Sequence, residues 1–171
     1  NGVELNNFVM ERFVDFEDAF DDMLLLLRKA RLSDLGDIIS LLHDDFLGKH
    51  RETPVENGQY IDAMQNIIRD KNQLLIVIEH QKDVVATAHL TFMPSLTYSG
   101  RRRLNVEAVR VSNQYRGKLI GNWLFDKIKV LAKSFDCHMI QLCCNKERAD
   151  AQRFYENLGF VPSHVGYKYH T

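Results

Sequence analysis

Cysteine is scarce in this chain, three in 171 residues. The number is odd and no pair has the spacing of metal ligands. Cys143 and Cys144 are adjacent and, on a strand, would point to opposite faces. That argues against a disulfide scaffold or a metal centre and for a reduced, cytoplasmic setting. Long apolar runs are also missing. The longest, Met23 to Leu27, is strand-sized and far short of a membrane span. An excess of basic charge is lacking too: 22 Lys and Arg stand against 23 Asp and Glu, a net charge of −1. No global basic field therefore points to nucleic acid. There is no internal repeat, no low-complexity tract and no interdomain linker. What remains is 45% hydrophobic and 26% charged, the composition of a globular domain with a sizeable core.

The charge is unevenly spread. Residues 1–22 carry seven acids and one base, a net of −6, which leaves +5 on the rest. Phe8, Phe13, Phe16 and Phe20 recur at three- to five-residue intervals beside Val9. This predicts an acidic amphipathic helix, an N-terminal extension over 1–22 ahead of a domain over 23–171. Its phenylalanine stripe needs a partner surface, on its own domain or on a second subunit of a homodimer.

From Leu24 to Ala30 the pattern is a strand. Ser33 and Asp34 supply N-cap chemistry for a helix from Asp34 to Phe46, and a second helix follows over Glu56 to Asp70. Leu74–Glu79 and Val84–Phe92 are strands joined by a hairpin at Gln81-Lys82-Asp83. Arg101-Arg102-Arg103 is a solvated edge or a contact for phosphates or an acidic partner, and precedes the strand Leu104–Val111. After the next helix, His138–Cys144 is a strand, Ala149–Leu158 a helix ending at Gly159, and Val161–Tyr169 a closing strand. The order predicts a mixed α/β sheet.

The chain centres on Val109 to Phe125. A buried strand stops at Ser112-Asn113-Gln114-Tyr115, and Arg116-Gly117-Lys118-Leu119-Ile120-Gly121 leads into a helix. The first N–H groups of a helix lack internal acceptors, and the dipole adds positive potential there. Gly117 and Gly121 would let an anion approach the backbone, with Arg116 and Lys118 adding charge. By itself such a turn is equally readable as a plain helix entry; the surrounding chain favours the anion site.

Gln114-x-x-Gly117-x-Leu119 with Ile120-Gly121 resembles the acyl-CoA motif of the GNAT superfamily of N-acetyltransferases, departing at Leu119, where the family carries Gly or Ala. Ala151-Gln-Arg-Phe-Tyr155-Glu-Asn-Leu-Gly159-Phe160 resembles its second signature. The resemblance spans Glu107 to Phe160 closely and Met23 to Thr171 more loosely, and its C-terminal run is most similar to small-molecule amine acetyltransferases. It implies a mostly antiparallel sheet with splayed fourth and fifth strands flanked by helices. It implies acetyl-CoA as cosubstrate, with no metal, held by the backbone of Ala108, Val109, Arg110 and Val111. Arg116, Gly117, Lys118, Leu119, Ile120, Gly121 and Asn122 would take the pyrophosphate, and Asn145 the cofactor arm.

Acetyl transfer needs a neutral amine and a proton for the departing thiolate. Glu107, nine residues before Arg116, matches the family's glutamate base. A mid-strand charge is also costly unless something needs it. His89 is the second candidate. Tyr155 matches the general acid. The segment between the first two helices implies acceptor contacts near Asp44, Asp45, His50 and Tyr60. Cys143 and Cys144 have no histidine placed to activate them and read as buried small residues. The expected partner is a small-molecule amine, with neither nucleic acid nor membrane. Acetylation of a protein or peptide amine, and a non-catalytic acyl-CoA-binding module, are the alternatives.

Overall fold

A computed structural model describes residues 13–44, 48–50 and 58–171. Its elements are β1 (Phe16–Phe20), β2 (Met23–Lys29), α1 (Leu35–His43), α2 (Gly58–Arg69), β3 (Gln73–His80), β4 (Asp83–Met93), β5 (Arg102–Val111), α3 (Ile120–Ser134), β6 (Cys137–Leu142) and α4 (Ala149–Asn157). The six strands lie side by side in chain order. Neighbours are antiparallel except β5 and β6, which run parallel. The fold is the mixed, mostly antiparallel sheet flanked by helices that the sequence implies.

Alternation writes the two faces. Leu74, Ile76 and Ile78 of β3, Ala86, Ala88, Leu90 and Phe92 of β4, and Leu104 and Val106 of β5 point to one side. There they meet Ile120, Trp123, Leu124, Phe125, Ile128 and Leu131 of α3. On the other side Val77 and Leu75 meet Leu35, Ile38 and Ile39 of α1 and Met64 of α2. No helix among the described residues is long and apolar enough to cross a membrane.

Both ends of the chain differ from expectation. Residues 16–20 form an edge strand rather than a helix. Phe16 and Phe20 face inward and Glu17 and Ala19 outward, a period of two. The expected boundary at 22/23 falls at the end of the β1–β2 turn, where Asp21 and Asp22 both have positive φ, the mirror-image turn that suits strand twist. Side-chain contacts with α3 decide the strand. Asp18 accepts from Trp123 Nε1 at 3.1 Å and pairs with Lys127 at 2.5 Å, which holds its carboxyl below the usual range. The part of the expected helix over residues 1–12 lies outside the described residues, as does the end of the first predicted helix beyond Asp44. At the other end, no strand forms over residues 161–171, which are exposed throughout. Val161, Val165, Tyr167 and Tyr169 reach no apolar partner that would fix them in the sheet.

Asp34 caps the short turn before α1 rather than α1 itself. It stands at the N-cap of α1 but makes no side-chain cap. Its carboxylate instead takes a two-pronged bond from buried Arg28, at 2.8 and 2.9 Å, and a bond from Arg31 N–H at 2.7 Å. Arg28 Nε donates to Glu79 at 2.8 Å. The cation ties β2 to β3 and to the start of α1, and it holds the Asp34 carboxyl below the usual range. Removing one partner of such a cluster strands a buried charge, at a cost of about 3–5 kcal/mol. Arg28→Met should therefore destabilise the fold by that order in urea melts. Because Asp34's folded pKa is depressed, its contribution is complete above the ordinary carboxylate pKa and lost as pH falls through the folded value. Wild-type stability should drop in that acid window, and Asp34→Asn should flatten the drop.

Candidate functional site

β6 pairs with β5 from Arg102 to Val106 and no further. Beyond it, the Glu107–Val111 half of β5 has no strand on that side among the described residues. The parting coincides with a bulge. His89 sits opposite Glu107 and Thr87 opposite Arg110, so β5 carries an extra residue, and Ala108 takes φ +53°. Bulges bend a strand and break its pairing. The backbone at Val109 to Val111 thereby becomes an open edge, as a thioester cosubstrate bound like an added strand requires. Arg110 Nη1 caps one of its carbonyls, that of Val109, at 2.8 Å.

The edge leads through a turn at Asn113–Tyr115 into residues 116–119. Gly117 lies at φ +77° with open space around it. Leu119 takes the left-handed conformation, φ 61°, as N-cap of α3, and its side chain is 60% exposed. It points away into solvent and does not plug the turn. The first helical bond runs from Trp123 N–H to the Leu119 carbonyl, so the N–H groups of Ile120, Gly121 and Asn122 precede the helical ladder. Ile120 is buried and Asn122 half-buried, while Arg116 and Lys118 are exposed at the mouth. Lys118 lies over the Tyr115 ring at 5.4 Å. Orphan amides, helix dipole and two exposed cations suit a diphosphate.

Gly121 also has a packing role. A Cβ there would stand 3.0 Å from Cζ of Phe154. Its glycine lets α4 close on α3. Phe154 and its neighbour Tyr155 then pack edge-on against Phe125, with ring centres 5.9 and 5.6 Å from it, and Phe160 completes the cluster. This wedge joins α4 to α3 and packs against the main core. Tyr155 is half-buried, and burial pushes its hydroxyl pKa up. Cys144 adds to the rise, while Arg110 and Arg148 oppose it. The hydroxyl thus lies within electrostatic reach of Arg110 of β5 and stays protonated at neutral pH.

Asn145 is exposed, and its side-chain oxygen accepts from Glu147 N–H at 2.9 Å, shaping the turn into α4. Cys143 is exposed rather than buried, and Cys144 half-buried. Glu107 lies on the face opposite α3, with its side chain 58% exposed; no burial penalty attaches to it, contrary to the argument from its apolar neighbours. His89 stands across from it, Nδ1 3.8 Å from Oε1. Its Nε2 meets Gln73 Oε1 at 2.6 Å, and Gln73 donates to Asp70 at 2.9 Å. Burial holds the His89 pKa below the ordinary value. Since Gln73 offers its oxygen, neutral His89 carries its proton on Nε2 and turns a lone pair to Glu107. Sequence spacing could not show this pair, because the bulge sets the register. Asp44 accepts from Asn113, tying the end of α1 to the turn before α3. Tyr60 packs among the α1–α2 apolar residues. Asp45 and the His50 side chain lie outside the described residues.

Comparison with known proteins fixes the family. The model of the acetyltransferase (GNAT) family matches residues 35–160. The chain belongs to the GNAT family. It is 25% identical over 109 residues to a probable glucosamine 6-phosphate N-acetyltransferase of Drosophila melanogaster, covering 63% of this chain and 48% of that protein. The chain thus spans about half the length of that relative. A transcriptional regulator from Bacillus halodurans C-125 superposes with a TM-score of 0.81 at 41% identity, over 86% of this chain and 99% of that one. A predicted acetyltransferase with acetyl-CoA from Clostridium acetobutylicum shares the fold, with a TM-score of 0.65 at 19% identity over 84% and 96%.

In this GNAT chain the α3–α4 contact holds the cleft. Gly121→Val would drive a branched side chain into a ring already packed on two others. The expected cost is about 1–3 kcal/mol. It should appear in denaturant melts together with weaker CoA binding in calorimetry.

Proposed function

We propose that the chain transfers an acetyl group from acetyl-CoA to the primary amine of a small molecule by direct attack. The observation that supports this best is the parting of β5 from β6 at the Ala108 bulge, which leaves the Val109–Val111 edge open. On this reading the Val109–Val111 edge aligns the pantetheine and thioester. Residues Arg116 to Asn122 take the diphosphate through main-chain amides, Arg116 and Lys118. Asn145 lies close to the cofactor arm through its turn.

Glu107 accepts the ammonium proton, directly or through water. Its exposure on the open face leaves it reachable by an incoming amine, and His89 beside it provides a second acceptor. The neutral amine attacks the thioester carbonyl. As the tetrahedral adduct collapses, the C–S bond breaks and Tyr155 gives its proton to the sulfur. The Tyr155 pKa, raised by burial, keeps that proton in place until the thiolate forms. A histidine next to the carboxylate on the same open face favours turnover over mere acyl-CoA binding.

Tyr155→Phe should lower kcat by about 100-fold while CoA affinity in calorimetry stays within about twofold. Glu107→Gln should lower kcat/KM, most at low pH where the free amine is scarce. The check is CoA release across a panel of amino sugars, polyamines, aminoglycosides and peptide N-termini. An unaltered rate in the phenylalanine variant would remove Tyr155 from the chemistry, and tight CoA binding without turnover on any amine would favour a binding module. Turnover confined to peptides would favour the protein-directed alternative.

A further inference from the structure

Beyond Glu107, the same face of β5 continues as a polar strip that the mechanism does not use. Before the bulge, Arg103, Asn105 and Glu107 alternate with the core residues Leu104 and Val106. They therefore share the face turned away from α3. Asn105 pairs with Gln141 of β6, whose amide approaches Asn105 Oδ1 at 3.5 Å. Arg103 is half-buried at the start of this strip. One Nη approaches Gln141 Oε1 at 3.4 Å, a long contact, and its buried Nε has no hydrogen-bond partner. Among the described residues no carboxylate lies within ion-pair range of it.

A guanidinium held in this way is unusual. Charged groups leave water when something compensates them, and an unmet buried donor costs about 1–3 kcal/mol. Solvent-directed arginines in a loose edge would extend outward and hydrate. Arg103 instead leans along the strand toward Gln141, which lies level with Asn105. Asn105 is one side-chain repeat from Glu107, about 7 Å along the strand. The strip thus presents a carboxylate at one end and an unpaired cation at the other, with two amides between. That arrangement is complementary to a small molecule carrying an amine and an anion a few bonds apart.

We infer that Arg103, with Asn105 and Gln141, forms a subsite for an anionic group, a phosphate or carboxylate, borne by the acceptor amine that Glu107 deprotonates. The inference rests on the acetyltransferase reading and narrows it to anionic small amines. Polyamines and aminoglycosides would be repelled at Arg103, while an amino sugar phosphate or an amino acid-like acceptor would engage both ends. Arg103 supplies planar two-pronged donors suited to either anion. Asn105 and Gln141 discriminate by hydrogen bonds to the groups between.

The test uses matched pairs on the full chain: glucosamine 6-phosphate against glucosamine, and a short ω-amino carboxylate against its amide. Wild type should show at least tenfold higher kcat/KM for the anionic member of a pair. Arg103→Gln should erase that preference by raising KM for the anionic member about tenfold, and Arg103→Lys should restore part of it. Thermal melts confirm that each variant is folded. Equal use of both members by wild type, or a preference that survives in folded Arg103→Gln, overturns the subsite while leaving the acetyltransferase reading intact. If no amine is acetylated, the latter reading falls first. Calorimetry with glucosamine 6-phosphate then decides the subsite alone: binding that weakens in Arg103→Gln supports it, and binding indifferent to the substitution overturns it. Preference for the phosphate pair alone, or for the carboxylate pair alone, names which anion the strip takes.

Discussion

The molecule depends on an unmade set of hydrogen bonds. Backbone N–H and C=O groups in a sheet are nearly always paired, and an open edge invites another strand. β5 is paired with β4 on both sides of the Ala108 bulge, yet on its other side the ladder ends at Val106. The open edge is not an accident of loose packing, because it is propped from both sides. The Ala108 bulge turns β5 aside. The cluster of Phe125, Phe154, Tyr155 and Phe160 locks the helix that follows β6 onto α3. Each such ring pair contributes about 0.5–1.5 kcal/mol beyond burial.

The two faces of the sheet divide the labour. The α3 side is continuous and apolar, with Leu104, Phe92, Phe125 and Ile128 fully buried. The opposite side is apolar under α1 and α2 but polar along β5. This asymmetry follows from β5 crossing the edge of α1's cover. Toward β3, Leu75 and Val77 are sealed; toward β6, the same face carries Glu107, Asn105 and Arg103. The Arg28 cluster with Asp34 and Glu79 ties β2, β3 and the start of α1 together at the covered end.

Much of this was legible. Strand alternation gave β2 to β5 within a residue or two, and the polar Arg116–Gly121 turn marked the entry to α3. Tyr155 was singled out by its place in Phe154-Tyr155-x-x-Leu158-Gly159-Phe160, the run that resembles the family's second signature. The errors have physical causes. Phenylalanines at 13, 16 and 20 fit a helical stripe as well as a strand, and the choice was made by Asp18 reaching Trp123 and Lys127, residues more than a hundred positions away. Asp34 reads as a cap because its local neighbours allow one, yet a buried arginine outbids the helix for its carboxylate. Gly121 reads as a phosphate-approach glycine, and the local sequence could not show its second role, packing against a ring on a helix that begins 28 residues on. The His89–Glu107 pair depends on register, and a one-residue bulge is invisible to a pattern whose period is two.

Backbone strain points the same way. Among the described residues, positive φ at non-glycine positions falls mainly in hairpin turns, at Asp21, Asp22, Gln81 and Lys82, or in the turn at Tyr98 and Ser99 and after α3 at Asp136. Those positions end or reverse elements, where such conformations are ordinary. Ala108 and Leu119 are different. One interrupts a central strand and the other caps a helix, where glycine or an aspartate would serve at lower cost. They bracket the segment Val109 to Lys118 at its two ends. A conformation costing about 1–3 kcal/mol persists where the surroundings over-determine it. Here the surroundings are the β4 register on one side and the Trp123-to-Leu119 bond on the other. Together the two bends rotate one continuous stretch of backbone out of the sheet and into the helix entry. The edge that would align an acyl chain and the amides that would take its diphosphate are therefore consecutive parts of one segment, bounded at each end by a left-handed residue that the neighbouring element holds in place.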